Sequence, residues 1–314
     1  MTKFILSQRS FKSEYLDQMK KIAPQFQFIT EIHAKEDWEK VAVTIGWQEE
    51  WQPLLASNSN LKWVQSISAG VDYLPLNDFE SKNILLTNAK GIHKEAISEH
   101  VLTTILMRLR GFNEAAIGQR HKKWSQAVFY GKLEEQKILI IGTGQIGQEL
   151  AKTLKLLGNQ PVGVNTTGHK VANFEQTFAI SQLKSIVKQF DFVINILPLT
   201  TQTHHLYDAD FFNAMKHTAT FVNVGRGASV DTNALLVALQ KRSIAYAALD
   251  VFEEEPLLQT NPLWQLDNIL ITPHIAGMVP HFQQKFMAIF LQNLTSFVSN
   301  QSVVKNQVDL KKGY

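Results

Sequence analysis

Residues 138–147 read ILIIGTGQIG, an uncharged apolar run that breaks into glycines at Gly142, Gly144 and Gly147. The run predicts a buried strand, and the pattern QELAKTLKLLG that follows it predicts a helix. In a strand–turn–helix of this kind the first glycine permits the bend, the second lets the backbone approach a pyrophosphate, and the third lets the helix pack closely. Another strand-like segment, 161–165, follows at the fingerprint's spacing. The turn therefore predicts a domain that binds a nicotinamide or flavin dinucleotide.

Strand-like segments alternate with helical or loop segments along the whole chain. They are 4–8, 26–30, 41–46, 61–67 and 84–89, followed by 137–142, 161–165, 192–197, 220–225, 246–252 and 268–273. Such alternation is typical of parallel sheets built from βα units. The sequence therefore predicts an α/β protein.

Two domains are expected, because 314 residues exceed what one hydrophobic core usually organises. An apolar-periodic stretch at 95–120 predicts a helix that crosses between the domains, and an amphipathic stretch at 281–300 predicts a helix that returns the chain to the first. We expect two doubly wound parallel-sheet domains. A Rossmann cofactor domain, 98–282, would be inserted into a flavodoxin-like substrate domain, 1–97 plus 283–314.

Composition narrows the class of partner. The net charge of +3 is spread along the chain without a basic block, which disfavours nucleic acid and anionic membrane surfaces and leaves a small molecule as the expected partner. The chain contains no cysteine, which excludes disulfides, thiolate nucleophiles and cysteine metal sites. No metal site is expected at His204 and His205 either, because adjacent side chains diverge and no further ligand completes the pattern. Without a signal peptide or a membrane-length apolar run, the sequence predicts a cytoplasmic protein.

Three predicted strand ends after the glycine turn carry chemically active side chains, at the edge where open α/β sheets bind ligands. Arg226 follows the strand TFVNVG, Glu255 follows YAALDVF, and His274 follows NILITP. A guanidinium can hold the carboxylate and carbonyl of a 2-oxo acid through its planar fork, and an imidazole can protonate the alkoxide that forms. Glu255, if hydrogen-bonded to that imidazole, would stabilise the imidazolium and fix the ring. Each residue alone is common in loops, but their joint placement after a dinucleotide turn favours hydride transfer.

Further motifs occur in order along the chain. They are SISAGVDYL (66–74), TNAKGIHKEAISEH (87–100), IIGTGQIG (140–147), LPLTTQT (197–203), NVGRGASVD (223–231), ALDVFEEEPL (248–257) and TPHIAG (272–277). With these motifs the chain resembles the D-isomer-specific 2-hydroxyacid dehydrogenase family over essentially its full length. The resemblance implies that Arg226, Glu255 and His274 are the catalytic residues, with His274 as acid in reduction and base in oxidation.

The resemblance also implies binding sites for substrate and cofactor. The substrate residues would be Ala69, Gly70, Val71, Arg226 and His274. The cofactor residues would be Gly142, Gly144, Gln145, Ile146, Gly147, Asn165, Thr166, Thr167, Lys170, Leu197, Pro198, Thr203, Val224, Gly225, Asp250 and Gly277. Among these, Asp250 is expected to orient the nicotinamide carboxamide, and no metal is expected.

The end of the second strand of the cofactor domain departs from the pattern of NAD-preferring members. Those members carry an acidic residue there, which bonds the adenosine ribose, whereas this chain has Asn165 followed by Thr166 and Thr167, with Lys170 nearby. Losing the carboxylate removes its repulsion against a 2′-phosphate. The arginine common in NADP-preferring relatives is also missing. We therefore expect NAD(P)H as cofactor, with NADP favoured over NAD.

The sequence leaves two alternatives open. The loop SAGVDYL resembles the short glyoxylate and hydroxypyruvate reductase branch, while 3-phosphoglycerate remains an alternative substrate. Transcriptional corepressors resemble the same fold and use the dinucleotide as a ligand, so a sensing protein is the alternative to an enzyme. The compact length favours the enzyme. The family resemblance further implies a homodimer formed through the cofactor domains.

Overall fold

The computed structural model describes residues 2–126 and 128–313. They form two compact units: one comprises the chain up to Ile92 together with the segment from Val279 onward, and the other comprises His93–Met278. The sequence predicts boundaries at 97/98 and 282/283, which lie a few residues after the observed boundaries at 92/93 and 278/279. Each unit contains one fully parallel sheet with helices, so the predicted two-domain α/β fold class is confirmed.

The elements of the described residues are numbered in chain order. The strands are β1 (Lys3–Ser7), β2 (Phe26–Ile29), β3 (Val41–Ile45), β4 (Trp63–Gln65), β5 (Leu85–Thr87), β6 (Ile138–Ile141), β7 (Val162–Asn165), β8 (Thr177–Ala179), β9 (Phe192–Asn195), β10 (Thr220–Asn223), β11 (Tyr246–Leu249) and β12 (Ile269–Ile271). The α-helices are α1 (Ser13–Ile22), α2 (Leu76–Ser81), α3 (Lys94–Leu109), α4 (Phe112–Arg120), α5 (Gln145–Leu156), α6 (Leu183–Ile186), α7 (Ala209–Ala214), α8 (Thr232–Gln240) and α9 (Phe282–Asn300). None of these helices has both the length and the apolar character needed to cross a bilayer.

The sheet of the first unit has the strand order β2-β1-β3-β4-β5, which is the doubly wound order of flavodoxin-like folds. Strand β3 is buried along its whole length, as expected for a parallel sheet covered on both faces. On one face Trp63 stacks on Phe290 of α9, with ring centroids 5.1 Å apart. On the other face Trp47 meets Phe79 of α2 edge to face, with centroids 5.0 Å apart. The first unit therefore has its own core on each side of its sheet.

The sheet of the second unit has the strand order β12-β11-β10-β9-β6-β7-β8. Counted from β6 as the unit's first strand, this is the Rossmann order 3-2-1-4-5-6 with one further strand. The order reverses between β6 and β9, where Ile141 pairs with Asn195. Every residue of β6 is fully buried, which explains why this run carries no charge. The carboxyl ends of β6 and β9 flank the switch point, where such sheets bind ligands.

Two elements differ from the sequence prediction. The prediction of a single helix over 95–120 is wrong, because α3 ends at Leu109 and α4 begins at Phe112. Gly111 between them has φ +62°, a left-handed conformation that glycine adopts readily and that ends a helix. Strand β8 was not predicted, because three half-buried residues are too few to show a pattern.

Candidate active site

The turn between β6 and α5 requires glycine at two of its three positions. Gly142 has φ +112°, and a Cβ on Gly147 would lie 2.0 Å from the carbonyl oxygen of Gly142. Gly144 differs, because a Cβ there would meet no described atom within 4 Å. The N–H groups of Gln145 and Ile146 lie in the first turn of α5 and therefore have no intrahelical partners. No described side chain caps this end of the helix. Open space beside Gly144 and unpaired N–H groups together make a cradle that suits a phosphate.

The side chain of Asn165, at the end of β7, organises the turn that follows. Its Nδ2 donates to the carbonyl oxygen of His169 at 2.9 Å and to Thr143 Oγ1 at 3.3 Å. Its Oδ1 accepts from the N–H groups of Gly168 at 2.7 Å and Thr167 at 3.2 Å. A carboxylate at this position could not donate the first two bonds. Asparagine therefore holds a turn that aspartate would loosen.

The turn held by Asn165 presents polar side chains to solvent. Thr166 and Lys170 are both exposed. Thr167 Oγ1 lies 3.0 Å from Nδ1 of the exposed His169. Hydroxyl, imidazole and ammonium groups thus follow the strand end at which the ribose of a dinucleotide is held in Rossmann folds.

Glu255 and His274, distant in sequence, meet in the second unit. Nδ1 of His274 lies 2.7 Å from Glu255 Oε2, and the N–H of Phe252 donates to Glu255 Oε1 at 2.8 Å. Both oxygens of the carboxylate are thus engaged, which fixes the imidazole and leaves its Nε2 outside this pair. Arg226 follows the neighbouring strand β10, and its Nη1 donates to the carbonyl oxygen of Gly225 at 2.8 Å.

Asp250 is buried, and its carboxylate holds the turn that carries His274. Oδ1 accepts from Thr272 Oγ1 at 2.6 Å and from the N–H of Ile275 at 2.9 Å, and Oδ2 accepts from the N–H of Ala276 at 2.9 Å. His274 itself has φ +54°, and its N–H donates to the carbonyl oxygen of Asp250 at 2.9 Å. The Asp250 side chain therefore supports an unusual backbone conformation beside the imidazole.

A buried polar network that the sequence analysis missed underlies the loops after β9 and β10. Asn195 Nδ2 donates to Asn223 Oδ1 at 2.9 Å and to Ser229 Oγ at 3.0 Å, and Tyr207 Oη donates to Asn195 Oδ1 at 2.8 Å. Burial raises the pKa of the Tyr207 hydroxyl well above its usual value, so it remains a donor. A Cβ on Gly225 would lie 2.8 Å from Asn195 Nδ2. The signal for this network was the asparagine that ends both β9 and β10.

The remaining predicted cofactor residues of this region brace their own loops. Thr203 Oγ1 donates to the carbonyl oxygen of Pro198 at 2.7 Å. The N–H of Leu197 donates to Asn195 Oδ1 at 3.0 Å, and the N–H of Val224 donates to the carbonyl oxygen of Asn195 at 3.1 Å. These bonds tie both loops to the end of β9. The carbonyl oxygen of Gly277, beyond β12, lies 2.8 Å from His93 Nδ1.

In the first unit, the loop at Ala69, Gly70 and Val71 has its carbonyl groups held. Asn88 Nδ2 donates to the carbonyl oxygen of Ala69 at 2.8 Å, and Ser68 Oγ donates to that of Gly70 at 2.7 Å. Within the described residues, the N–H groups of the three loop residues donate no hydrogen bond. Backbone N–H groups that lack a partner are available to donate to an anion such as a carboxylate.

The comparisons with known proteins agree with this geometry. Residues 102–276 match the family described as D-isomer specific 2-hydroxyacid dehydrogenase, NAD binding domain. The chain is 33% identical over 276 residues to glyoxylate/hydroxypyruvate reductase B of Escherichia coli (strain SMS-3-5 / SECEC), which spans 83% of this chain and 85% of the relative.

Two solved structures extend the likeness over nearly the whole chain. Phosphoglycerate dehydrogenase from Lactobacillus plantarum is 40% identical, with 98% of this chain and 100% of the other covered and a TM-score of 0.60. A D-isomer specific 2-hydroxyacid dehydrogenase from Xanthobacter autotrophicus Py2, solved with NADPH and MES, is 26% identical with both chains covered to 100% and a TM-score of 0.84.

The family match spans the glycine turn and the segment that carries the Glu255–His274 pair. These relatives are named as dehydrogenases and a reductase, and they do not favour the alternative of a dinucleotide-sensing corepressor. The chain therefore belongs to the D-isomer-specific 2-hydroxyacid dehydrogenase family and is an NAD(P)-dependent oxidoreductase.

Proposed function

We propose that this protein transfers a hydride reversibly between NADPH and a small 2-oxo acid, with glyoxylate or hydroxypyruvate as the preferred substrate. The observation that carries the proposal is the contact between Glu255 Oε2 and His274 Nδ1, 2.7 Å apart, in the same unit as the glycine turn. A histidine backed by a carboxylate is a suitable acid for an alkoxide that forms during reduction.

The residues of the second unit fit a nicotinamide dinucleotide. The turn at Gly142, Gly144 and Gly147 would receive the pyrophosphate. The backbone conformation at Gly142 and the close packing at Gly147 already require glycine, whereas the open space beside Gly144 is available to a ligand. When bound, the dinucleotide supplies the hydride that is added to the substrate carbonyl. Asp250 holds the turn at 274–276 and is also proposed to accept a hydrogen bond from the carboxamide of the nicotinamide.

Three groups of this chain act on the substrate in the proposed reaction. The N–H groups of the Ala69–Val71 loop bind its carboxylate, and Arg226 grips the carboxylate and polarises the carbonyl through its planar fork. His274 Nε2 donates the proton to the alkoxide oxygen during reduction and takes it back during oxidation. Glu255 keeps the ring oriented through its contact with Nδ1.

We propose NADP rather than NAD as the preferred cofactor. Asn165 brings no negative charge to the turn after β7, and the exposed Thr166, Thr167 and Lys170 can surround a 2′-phosphate. The Xanthobacter relative was solved with NADPH. Replacing Lys170 by Ala should weaken NADPH binding about tenfold and leave NADH binding within about twofold. Equal losses for the two cofactors in fluorescence titrations would contradict this assignment.

The substrate class is tested by following NADPH and NADH oxidation against glyoxylate, hydroxypyruvate, pyruvate, 3-phosphohydroxypyruvate and branched 2-oxo acids. We expect the highest kcat/KM with glyoxylate or hydroxypyruvate, as the name of the Escherichia coli relative suggests. The Lactobacillus relative is named as a phosphoglycerate dehydrogenase, so a preference for the phosphorylated acid would select that alternative. Binding of NADPH without turnover on any acid would refute the enzymatic proposal.

We also propose a cytoplasmic homodimer formed through the second unit. Phe112, Ile117, Trp124 and Tyr130 are exposed on and after α4, and Trp124 is 92% exposed. Aromatic side chains are enriched at protein interfaces. Light scattering after gel filtration should give twice the mass of 35.6 kDa, and a Trp124→Ser variant should shift toward monomer. A wild-type monomer at micromolar concentration would contradict this assembly.

A further inference from the structure

Glu253 lies two residues before Glu255 in the acidic run after β11, and its carboxylate is hydrogen-bonded although the residue is exposed. Its Oε1 lies 2.6 Å from Nε2 of His205. Its Oε2 accepts from the N–H of Thr232 at 2.9 Å and also from the Thr232 hydroxyl. Thr232 is the first residue of α8, where a negative charge is favoured by the helix dipole. Glu253 is thus tied both to a helix start and to the loop after β9.

The electrostatic environment supports this arrangement. Burial raises the pKa of the Glu253 carboxyl, but hydrogen bonds from Thr232 and His205 outweigh burial and lower the pKa below its ordinary value. The group is therefore ionised at neutral pH and accepts charge-assisted bonds, which are stronger than neutral ones. His205 has φ +48°, and its N–H donates to the carbonyl oxygen of Ala228 at 3.0 Å, so the partner of Glu253 is itself held.

The backbone next to Glu253 touches the catalytic pair directly. The N–H of Phe252 donates to Glu255 Oε1 at 2.8 Å, and the other oxygen of this carboxylate faces His274 Nδ1 at 2.7 Å. A Cβ on Gly227 would lie 1.8 Å from the carbonyl carbon of Phe252, so the 252–253 peptide is pressed onto Gly227. The Phe252 N–H belongs to the preceding 251–252 peptide, which is joined to the 252–253 peptide through the Phe252 Cα. A displacement of the 252–253 peptide is therefore passed to this N–H and weakens its bond to Glu255.

We infer that Glu253, clamped between His205 and Thr232, is a positioning residue: it fixes the 252–253 peptide and, through the Phe252 Cα, the Phe252 N–H that orients the Glu255 carboxylate toward His274. Glu253 touches neither substrate nor cofactor in this scheme and acts only through Glu255. The catalytic consequence rests on the proposed function, whereas the positioning itself does not. Small misplacement of a catalytic group can cost up to about 100-fold in rate, which gives such a clamp a measurable effect.

The first test measures geometry without turnover. Amide hydrogen exchange of Phe252 is compared in the wild-type protein, Glu253→Ala and Glu254→Ala. Glu254 is the matched control, because it is the adjacent exposed carboxylate and no side-chain contact of it occurs among the described residues. We expect Phe252 to exchange about tenfold faster in the Glu253 variant and unchanged within about twofold in the control. Equal exchange in the two variants would overturn the inference.

The second test is a double-mutant cycle measured on the best 2-oxo acid with saturating NADPH. Glu253→Ala should lower kcat about tenfold while the Kd for NADPH changes less than about twofold. In a Glu255→Ala background the same substitution should lower kcat less than about twofold, because the group it positions is already gone. Additive effects would show that Glu253 acts on stability alone and would overturn its positioning role.

A conservative variant separates positioning from charge and from misfolding. Glu253→Gln can still accept from Thr232 and still contact His205, so it should recover at least about a third of the wild-type kcat and slow Phe252 exchange again. If it behaves like Glu253→Ala in both measurements, the negative charge alone matters and the clamp is refuted. If the wild-type protein shows no turnover, the proposed function fails while the exchange experiment still decides the positioning.

Discussion

Replacing Asp250 by Asn tests whether the turn that carries His274 is held by one buried carboxylate. The substitution keeps the size of the side chain, so it creates no cavity. Asp250 is 2% exposed and accepts from Thr272 Oγ1, from the N–H of Ile275 and from the N–H of Ala276. An amide has one acceptor oxygen, and its NH₂ group would face one of these donors.

The expected cost follows from these three bonds. If the amide oxygen keeps the bonds to Thr272 and Ile275, the N–H of Ala276 loses its acceptor, at a cost of about 1.5–3 kcal/mol for a charge-assisted bond. The two remaining bonds weaken by about 1 kcal/mol each when the acceptor becomes neutral. Relief of carboxylate burial returns part of this energy. We therefore expect the free energy of opening the 274–276 turn to fall by about 2–4 kcal/mol.

Amide exchange of Ile275 and Ala276 measures this opening free energy directly, and a loss of 2 kcal/mol corresponds to about 30-fold faster exchange. Because His274 lies in the same turn with φ +54°, kcat should fall at least about tenfold, whereas the affinity for NADPH should fall only by the loss of the proposed contact between Asp250 and the carboxamide. A matched variant, Thr272→Val, removes one donor but keeps the carboxylate and should show smaller effects. Unchanged exchange at both amides in Asp250→Asn would refute the reasoning.

Three further predictions concern other residues. His274→Ala should lower kcat about 10²–10⁴-fold with NADPH binding preserved, and steady-state kinetics with comparable kcat would contradict its role as acid. Gly147→Ala should abolish measurable dinucleotide binding, since a Cβ would lie 2.0 Å from the carbonyl oxygen of Gly142; calorimetry showing normal affinity would contradict this. Burial raises the pKa of Asp208, but hydrogen bonds from the Phe211 N–H and Lys184 outweigh it and leave the pKa below 3.8. The carboxylate therefore stabilises the fold above pH 3.8 and loses this effect as the pH falls through its lowered pKa, so the stability advantage of wild type over Asp208→Asn in urea unfolding should vanish in acid.

The sequence was informative where burial acts on every residue of a segment. Strand β6 is covered on both faces, so its four positions had to be apolar, and the glycines that follow had to permit a bend and a close approach. The break at Gly111 was not visible, because apolar periodicity continues from α3 into α4. Whether a single glycine continues a helix or ends it is decided by what the two segments pack against.

The candidate site shows the same division between local and long-range causes. Asn165 was identified from the missing carboxylate, but its bonds to the turn at 167–169 required the folded backbone. Glu253 and Glu254 are indistinguishable in sequence, and only the approach of His205 and Thr232 separates them. Contacts between residues many positions apart depend on how the chain folds, and local sequence patterns do not reveal them.

The bond between His93 and Gly277 joins the first and the penultimate residue of the second unit, 2.8 Å apart from Nδ1 to carbonyl oxygen. A segment whose ends adjoin is a self-contained insert, because it can be excised or transplanted without stretching its own backbone. A short peptide linker between the ends of a 93–278 fragment would close it into a ring, and new termini opened in a surface loop would give a circular permutant. The second unit of this enzyme can thus be handled as a module, because the chain enters and leaves it at adjacent residues.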